Sequence, residues 1–208
     1  MTTQDHYEIA RQIMGVDFIS PEEVPRHIDM PSWIEGLPCF DENFPDVQTL
    51  EWAKVNNFIL VPGPYNPHTK SIVTLSHLFH AVQGLGSRSY AHKEHVGAFM
   101  YMVRKEPLEE SFSKSWEEQQ SLIPENEYIP SLIEIAWCVS MYNEVRGARL
   151  LEDIHVRSSS NDPGAILKRT RAFIGNYSKG KFTFSEFPNS CKNPQVGMLT
   201  GRILDSVF

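Results

Sequence analysis

A predicted helix from Leu132 to Arg146 is apolar on two sides and restricts the fold more than any other segment. Pro130 and Ser131 are typical of a helix start, and Gly147 is typical of a helix end. At about 100° per residue, one side of this helix carries Leu132, Ile135, Ala136, Val139 and Tyr142, and the other carries Ile133, Trp137 and Met141. Because both sides are apolar, we predict a central buried helix that holds two parts of the chain together.

The segments before this helix indicate helices joined to a short α–β unit. Apolar spacing predicts helices over residues 6–14, 46–56 and 72–83, and apolar runs predict strands over residues 58–61 and 98–104. Ser20 and Ser115 are each followed three residues later by Glu, the pattern of a capping box. We therefore predict a short helix after each of these serines.

The segments after Gly147 indicate strands. Residues 153–158, 166–174, 181–187 and 196–203 alternate in the manner of strands and are separated by Gly- and Pro-containing turns. Together the elements predict an α+β fold with a helix-rich N-terminal lobe, the central helix and a C-terminal, mostly antiparallel sheet. The length of 208 residues fits a single domain over 1–208, with an acidic lobe over 1–147 and a basic lobe over 148–208.

The two lobes differ in charge. Residues 1–145 contain 9 Lys and Arg against 21 Asp and Glu, a net charge of −12, and residues 146–208 contain 10 against 5, a net charge of +5. This gradient fits either internal complementarity between packed lobes or a basic surface that binds an anion or an acidic partner. On the sequence alone, we favour internal complementarity.

The sequence predicts a protein of the cytoplasm. Its apolar runs are far shorter than the roughly 20 residues of a membrane helix, and its first residues lack the basic flank and apolar stretch of a signal peptide. The sequence has three cysteines, Cys39, Cys138 and Cys191. Because their number is odd and they are widely spaced, we predict reduced thiols. Cys39 is a candidate nucleophile if a histidine lies near it in space.

Four histidines form the densest group of potential metal ligands. His77 and His80 form one pair with a spacing of three, and His92 and His95 form another. If both segments are helical, each pair lies on one side of its helix and can hold a divalent transition metal, with Glu94 as a possible carboxylate ligand. Surface or hydrogen-bonded histidines are the alternative, and we favour it because the spacing matches neither Cys-pair nor His-Glu-x-x-His motifs.

The basic lobe contains candidate anion-binding residues interleaved with aromatic ones. We predict that Arg157, Lys168, Arg169 and Arg171 bind the ligand. On a strand, Arg169 and Arg171 project to one face, as do Phe182 and Phe184, so cations beside aromatic rings can bind phosphates or stacked bases. The alternative is that the arginines pair with carboxylates of the acidic lobe and the phenylalanines lie in the core.

Glu134 is a candidate catalytic residue because it is the main charged residue on the apolar helix before its last turn. Burial would raise its pKa toward that of a general acid or base. We favour the alternative that Glu134 forms a buried ion pair, for example with an arginine of the sheet.

Several motifs resemble those of one protein family. They are Val103-Arg-Lys-Glu-Pro, Ser113-Lys-Ser-Trp-Glu-Glu-Gln-Gln-Ser-Leu, Glu134-Ile-Ala-Trp, Gly147-Ala-Arg-Leu-Leu, Val156-Arg-Ser-Ser and, near the start, Gly15-Val-Asp-Phe-Ile-Ser-Pro-Glu-Glu-Val. These motifs resemble an uncharacterised family of bacterial or phage-related hypothetical proteins. The resemblance implies a common fold and a prokaryotic or phage-related origin, but no activity. The strands after Ser160 depart from the Asp- and Gly-rich pattern of that family.

Two functions follow as hypotheses. The first is a non-enzymatic binding or interaction protein that uses the basic C-terminal sheet for a small anionic ligand or a protein partner, without a cofactor. Nucleic acid is a less favoured ligand, and no membrane association is expected. The second is a metal-dependent hydrolase that uses the histidine group and a divalent transition metal. The sequence leaves open whether the protein is an enzyme.

Overall fold

The structure is a computed structural model that describes residues 3–24, 44–64, 82–83, 93–161, 169–178 and 181–204. These ranges contain helices α1 (Thr3–Met14), α2 (Val47–Val55), α3 (Trp116–Gln120) and α4 (Leu132–Arg146) and 3-10 turns at Gly15–Asp17, Pro21–Glu23 and Glu109–Ser111. They also contain strands β1 (Phe58–Pro62), β2 (Val82–Gln83), β3 (Met100–Arg104), β4 (Glu127–Tyr128), β5 (His155–Arg157), β6 (Thr170–Ser178), β7 (Lys181–Pro188), β8 (Val196–Met198) and β9 (Gly201–Arg202). The predicted α+β class is confirmed. None of the helices in these ranges has both the length and the apolar character to cross a bilayer.

The strands form two sheets, and each sheet includes a strand from the other half of the chain. Sheet A is antiparallel with the order β1-β3-β9-β4, so the C-terminal β9 lies between two strands of the front half. Sheet B has the order β2-β7-β6-β5-β8. Its pairs β5-β6 and β6-β7 are antiparallel, whereas β2-β7 and β5-β8 are parallel. Strand pairing therefore crosses the predicted boundary at Gly147.

Helix α4 is buried against both sheets, as predicted from its two apolar sides. Ten of its residues, between Leu132 and Tyr142, are buried. They share one core with Ile59, Val61 and Val103 of sheet A and with Val156, Ile174 and Phe184 of sheet B. The indole Nε1 of Trp137 donates a hydrogen bond of 2.8 Å to the Pro62 carbonyl, which satisfies the polar atom of this fully buried ring.

Both ends of α4 follow the signals in the sequence. The Glu134 carboxylate accepts a hydrogen bond from the Ser131 N–H at 2.7 Å, and the Glu134 N–H donates to the Ser131 hydroxyl at 3.4 Å, which forms a capping box. Gly147 ends the helix with a φ of 67°, a left-handed conformation that glycine adopts without steric cost. Its N–H donates to the Asn143 carbonyl at 2.8 Å.

Helices α1 and α2 cover the other face of sheet A. Strand alternation directs every second side chain of β1 and β3 away from α4. These side chains form a second core with α1 and α2, which includes Tyr7, Ala10, Met14, Leu50, Ala53, Phe58, Leu60 and Met102. The described chain is therefore layered in the order α1 and α2, sheet A, α4 and sheet B.

Four predicted elements differ from the structure in type or in their bounds. Helix α1 begins at Thr3 rather than at residue 6. Val82 and Gln83, predicted as the end of a helix, form the edge strand β2 because their backbone pairs with β7, and residues 65–81 lie outside the described ranges. The predicted strand over 196–203 divides at Leu199 and Thr200, which are buried where the chain passes from sheet B to sheet A. Strand β6 begins at Thr170 rather than at residue 166 and continues to Ser178.

Four residues beside the C-terminal half of α4 form a charged network around Asp17. The buried Asp17 carboxylate accepts hydrogen bonds of 2.9 Å from Lys54 Nζ, Lys105 Nζ and the Tyr142 hydroxyl. Burial by itself would raise the pKa of Asp17, but the hydrogen bonds from Lys54, Lys105 and Tyr142 lower that pKa overall. We call these four residues the Asp17 network.

Arg146, in the last turn of α4, makes a second set of contacts at the same end. Its guanidinium donates to Glu23 Oε1 at 2.6 Å and to the carbonyl oxygens of Val16 at 2.8 Å and Phe18 at 2.6 Å. The Arg146 charge also complements the negative end of the helix dipole. Arg146 and the Asp17 network therefore connect the segment after α1 to the C-terminal half of α4.

Candidate anion-binding site

The outer face of sheet B carries the side chains that point away from α4. Val156 of β5 and Ala172 and Ile174 of β6 lie in the core around α4. Because side chains alternate along a strand, Arg157 of β5 and Arg171 of β6 lie on the opposite face. Two predicted ligand-binding arginines therefore share one face of the sheet on neighbouring strands.

Arg157 is completely buried and contacts uncharged oxygen atoms. One terminal nitrogen donates to the Lys114 carbonyl at 3.1 Å and to Gln119 Oε1 at 2.8 Å, and the other donates to the Cys191 carbonyl. Within the described residues, its Nε atom is buried and has no hydrogen-bond partner. Burial lowers the pKa of Arg157, because the charged form is desolvated. Its terminal nitrogens thus connect β5 to the segments that contain α3 and the turn after β7.

Arg171 has a different environment on the neighbouring strand. Its guanidinium carbon lies 4.7 Å from the centre of the Trp116 ring, a cation–π contact. It makes no hydrogen bond or ion pair with any residue that the structure describes, and its Nε atom is buried. Burial lowers the pKa of Arg171, and the Glu117 carboxylate partly opposes this effect. Arg171 therefore has one buried donor, Nε, without an acceptor among the described residues, on a side chain that is partly exposed.

Asn189, in the turn that follows β7, has an unsatisfied acceptor near this face. Its N–H donates to the Arg169 carbonyl at 2.7 Å, and its carbonyl accepts from the Trp116 N–H at 2.8 Å. Its side-chain Oδ1 is buried without a donor among the described residues. We call Arg157, Arg171, Trp116 and Asn189 the arginine corner.

An aromatic stack lies beside the arginine corner. Phe173 and Phe187 stack with their ring centres 4.3 Å apart and their planes at 19°, and His155 meets the edge of Phe173 at 5.0 Å. Phe187 is directly opposite Arg171 across the β6–β7 pair. Phe182 and Phe184, which we considered as neighbours of the cations, lie instead in the core around α4. The aromatic neighbours of Arg171 are therefore Phe187 and Trp116.

The remaining predicted residues of the basic lobe are more exposed or outside the described ranges. Arg169 is exposed on the outer face, and Lys168 lies outside the described residues. Lys192 pairs with Glu118 at 2.7 Å and so joins the basic and acidic parts of the chain. No hydrogen bond or ion pair joins either arginine of the arginine corner to a described carboxylate, but the charge of Glu117, a residue of the acidic lobe, acts on both guanidinium groups. Compensation of these arginines by the acidic lobe therefore stays a prediction.

Within the described residues, Glu134 forms no ion pair with an arginine of the sheet, which differs from the buried ion pair that we favoured. Its Oε2 atom accepts from the Ser131 N–H at 2.7 Å and from the Ser131 hydroxyl at 2.8 Å, as part of the capping box of α4. Glu134 therefore helps to begin the helix, and its charge lies near the N-terminal end of α4.

A second carboxylate, Glu94, lies at the same end of α4. Its Oε2 accepts from the Ser160 hydroxyl at 2.5 Å, and that hydroxyl in turn accepts from the Leu132 N–H at 2.8 Å. Burial raises the pKa of Glu94, the Ser160 hydrogen bond lowers it, and the nearby Glu134 charge raises it further, with a net increase. Two carboxylates that we had considered separately therefore influence each other.

Buried groups around this carboxylate pair have raised pKa values. Burial raises the pKa of the Tyr101 and Tyr128 phenols, and the Glu134 charge adds to both increases. Cys138 is completely buried, and burial together with the Glu134 charge raises the pKa of its thiol. A buried thiol in this state is a poor nucleophile. Cys39, the other candidate nucleophile, lies outside the described residues.

The predicted histidine group cannot be placed as a whole. His77, His80 and His92 lie outside the described residues, and His95 is exposed. In the described part of the chain, no three His, Cys, Asp or Glu side chains are arranged to hold a metal ion. The metal-binding hypothesis therefore stays a prediction.

A cavity of about 380 Å³ lies between the N-terminal parts of α1 and α2. Ile9, Phe44 and Leu50 provide apolar lining, and His6 and Asp46 provide polar groups. The ring of His6 stacks on Phe44 at 5.6 Å. The size of this cavity is within the range of small-molecule sites. None of the candidate site residues named from the sequence lines it.

The chain was compared with family models, curated proteins and solved structures. None matches. The resemblance to a bacterial or phage-related family therefore stays a prediction, and the functional argument depends on the geometry of the site.

Proposed function

We propose that the protein is a non-enzymatic binding protein and that the arginine corner on sheet B binds a small anionic ligand. One observation carries this proposal: Arg171 is partly buried and forms no hydrogen bond or ion pair with the described residues, and Glu117 acts on it only through its charge. Unpaired buried charges are costly, so such groups are normally paired in the folded protein or in its complexes.

Comparison with sheet A supports the choice of Arg171. Arg104 of β3 also lies over an aromatic ring, Phe58 at 4.7 Å, but Glu127 binds its guanidinium through Oε1 at 2.9 Å and Oε2 at 3.2 Å. The two oxygens of Glu127 thus give Arg104 the fork-like pairing that arginine prefers. At Arg171, no described carboxylate forms such a pair, and Glu117 acts on the guanidinium only through its charge; we propose that an external oxyanion supplies the missing pairing.

The chemistry of arginine indicates the type of ligand. A guanidinium has five N–H donors and no acceptor, and it binds carboxylates and phosphates through charge-assisted hydrogen bonds. Arg169 lies nearby on the same face and is exposed, so it adds positive charge without occupying the arginine corner. An acidic side chain of a protein partner offers the same oxyanion chemistry as a small ligand.

Thermal unfolding tests the proposal. Wild-type protein is heated in phosphate, pyrophosphate or citrate and in chloride of equal ionic strength. A ligand at 100 times its dissociation constant stabilises the folded state by about 2.7 kcal/mol, which is a rise in Tm of roughly 5–10 °C for a chain of this size. We expect such a rise with at least one oxyanion, and a much smaller one for Arg171→Gln.

Arg202→Gln is the matched control. Arg202 also stacks on a tryptophan, with its guanidinium carbon 4.3 Å from the Trp52 ring, but it lies on sheet A away from the arginine corner. The anion response of this variant should equal that of the wild type. A wild type that responds to no oxyanion, or an Arg171→Gln variant that responds fully, would refute the proposal.

The carboxylate pair supports a second candidate function, acid–base or metal-assisted hydrolysis. The favouring observation is that Glu94 and Glu134 lie together at the start of α4, where burial and the Glu134 charge raise the pKa of Glu94, because pairs of carboxylates are common in hydrolytic enzymes. In this function Glu94 is the general acid and Glu134 the general base. Carboxylate and hydroxyl oxygens are also ligands for hard divalent cations.

Turnover and metal binding test the second candidate. Wild-type protein is assayed with chromogenic phosphate esters, carboxylic esters and glycosides, with and without zinc, manganese or nickel. Any activity should be lost in Glu94→Gln and Glu134→Gln and kept in Glu106→Gln, which changes an exposed carboxylate elsewhere. Absence of turnover, together with no change in Tm on adding these metals, would remove this candidate.

A further inference from the structure

The arginine corner contains unsatisfied donors and an unsatisfied acceptor, and this combination restricts its ligand further. The Nε atoms of Arg157 and Arg171 are buried donors without acceptors, and the Asn189 Oδ1 atom is a buried acceptor without a donor, among the described residues. A site built for an anion alone needs only donors. The buried acceptor therefore requires an explanation of its own.

Backbone contacts bring Asn189 close to Arg171. Arg171 is opposite Phe187, the next pair is Thr170 with Pro188, and in the turn that follows β7 the Asn189 N–H donates to the Arg169 carbonyl at 2.7 Å. The Asn189 backbone therefore lies two residues along the chain from the partner of Arg171, a distance that the long Arg171 side chain can span.

Arg157 approaches the same position from the other side. It is opposite Phe173 on β5, which makes it a diagonal neighbour of Arg171 across the β5–β6 pair. The Cys191 carbonyl that accepts from Arg157 lies in the turn that also contains Asn189. Trp116 contacts this group twice, through its ring to Arg171 and through its N–H to the Asn189 carbonyl.

Building on the proposed function, we infer that the ligand of the arginine corner is a protonated oxyanion of the hydrogen phosphate type. Its oxygens accept from the guanidinium groups, and its hydroxyl donates to Asn189 Oδ1. A fully deprotonated tetrahedral anion such as sulfate offers acceptors only, and it would place negative charge against the Asn189 oxygen. Because unmatched buried polar groups are expensive, sites of this kind discriminate strongly between ligands that differ by one donor.

Calorimetric titration with inorganic phosphate and with sodium sulfate at pH 7.5 tests this inference. Phosphate carries at least one proton at this pH, and sulfate carries none. Wild-type protein should bind phosphate at least tenfold more tightly than sulfate. Arg171→Gln should lose most of the affinity for both anions, whereas Arg202→Gln should keep the wild-type values.

Asn189→Leu tests the role of the acceptor directly. Leucine is of similar size and has no oxygen, so the preference for phosphate over sulfate should fall to about one. Circular dichroism checks that the variant is folded. If it is not, the comparison of phosphate with sulfate in the wild-type protein still tests the inference.

The outcomes separate this inference from the proposed function. Equal wild-type affinity for phosphate and sulfate, or an unchanged preference in Asn189→Leu, overturns the selection of a protonated oxyanion while anion binding stands. If neither anion gives a heat of binding, the buried atoms are bridged by water instead, and the inference is overturned. Full phosphate binding by Arg171→Gln overturns both the inference and the proposed function.

Discussion

The C-terminal end of α4 and the arginine corner both contain buried charged groups, but these groups differ in how completely they are paired. In the Asp17 network, one buried carboxylate receives three hydrogen bonds, two of them from lysines. In the arginine corner, neither guanidinium group forms an ion pair with a described carboxylate, the Glu117 charge acts on both without a hydrogen bond, and their Nε atoms have no acceptor among the described residues. The first region connects parts of the fold, and the second is the site at which we propose that an anion binds.

Arg157 and Arg171 show that this difference exists even within the arginine corner. The terminal nitrogens of Arg157 donate to two backbone carbonyls and one glutamine, so this residue is mainly part of the architecture. Arg171 has a cation–π contact and no hydrogen bond within the described part of the chain, and it is the residue that we propose binds the ligand. Position on the same face of a sheet therefore does not give two arginines the same role.

The largest expected effect is the loss of Arg157. Arg157→Met should lower the free energy of unfolding by about 3–5 kcal/mol, because it leaves Gln119 Oε1 and two backbone carbonyls without their donor. Urea denaturation measures this change. Arg169→Gln removes an exposed arginine from the same sheet and should change stability by less than about 0.5 kcal/mol. Similar stability of the two variants would show that Arg157 is not part of the architecture.

The next effect is expected at the Asp17 network. Asp17→Asn should cost about 2–3 kcal/mol at pH 7, because two lysines lose their buried partner. The pKa of Asp17 is lowered in the folded state, so its ionised form stabilises the protein above the usual value of 3.8. This stabilisation should be lost as the pH falls through the lowered pKa. Denaturation curves between pH 2 and 7 should therefore converge at the acidic end, and a difference that stays constant would contradict the network.

A smaller effect of opposite sign is expected at Glu94. Its pKa is raised in the folded state, so ionisation of Glu94 destabilises the protein as the pH rises through that pKa. Glu94→Gln should therefore raise the free energy of unfolding by about 1 kcal/mol at pH 8, with no gain below the usual pKa of 4.5. Thermal unfolding at several pH values measures this. A loss of stability at pH 8 would mean that an unseen cation neutralises Glu94.

The smallest effect on stability is expected at Arg171. In chloride buffer, Arg171→Gln loses a cation–π contact of about 0.5–1 kcal/mol but also removes the cost of an unpaired, partly buried charge. The free energy of unfolding should therefore change by less than about 1 kcal/mol. A loss as large as that of Arg157→Met would show that Arg171 has a structural partner and would remove the contrast between the two arginines.

Local sequence signals predicted the parts of the fold that depend on neighbours in the chain. The limits of α4, its Ser131 cap and its Gly147 end all follow from residues within a few positions of each other. The division of the last predicted strand at Leu199 and Thr200 could not be predicted, because two sheets compete for one extended segment. The strand character of Val82 and Gln83 likewise depends on pairing with the distant β7.

The candidate sites were predictable only in part for the same reason. Strand periodicity predicted that Arg169 and Arg171 share a face, but Trp116 and Asn189 join Arg171 through tertiary contacts that leave no pattern in the sequence. Glu134 was chosen as a candidate catalytic residue because of its position on an apolar helix, and its role in capping that helix was not predicted. A Ser followed three residues later by Glu was present at Ser131 and could have indicated it.

The most direct test of the account is the nuclear magnetic resonance signal of the arginine Nε–H groups. In ¹⁵N-labelled protein, phosphate is added at constant ionic strength while the Nε–H signals of Arg157, Arg171, Arg104 and Arg202 are followed. Arg104 donates from Nε to Glu127, and Arg202 lies on the other sheet, so both serve as internal references. The account predicts that the Arg171 signal shifts with saturation, that the Arg157 signal follows it, and that the two references stay unchanged. An Arg171 signal that does not move, or moves no more than that of Arg202, would contradict it.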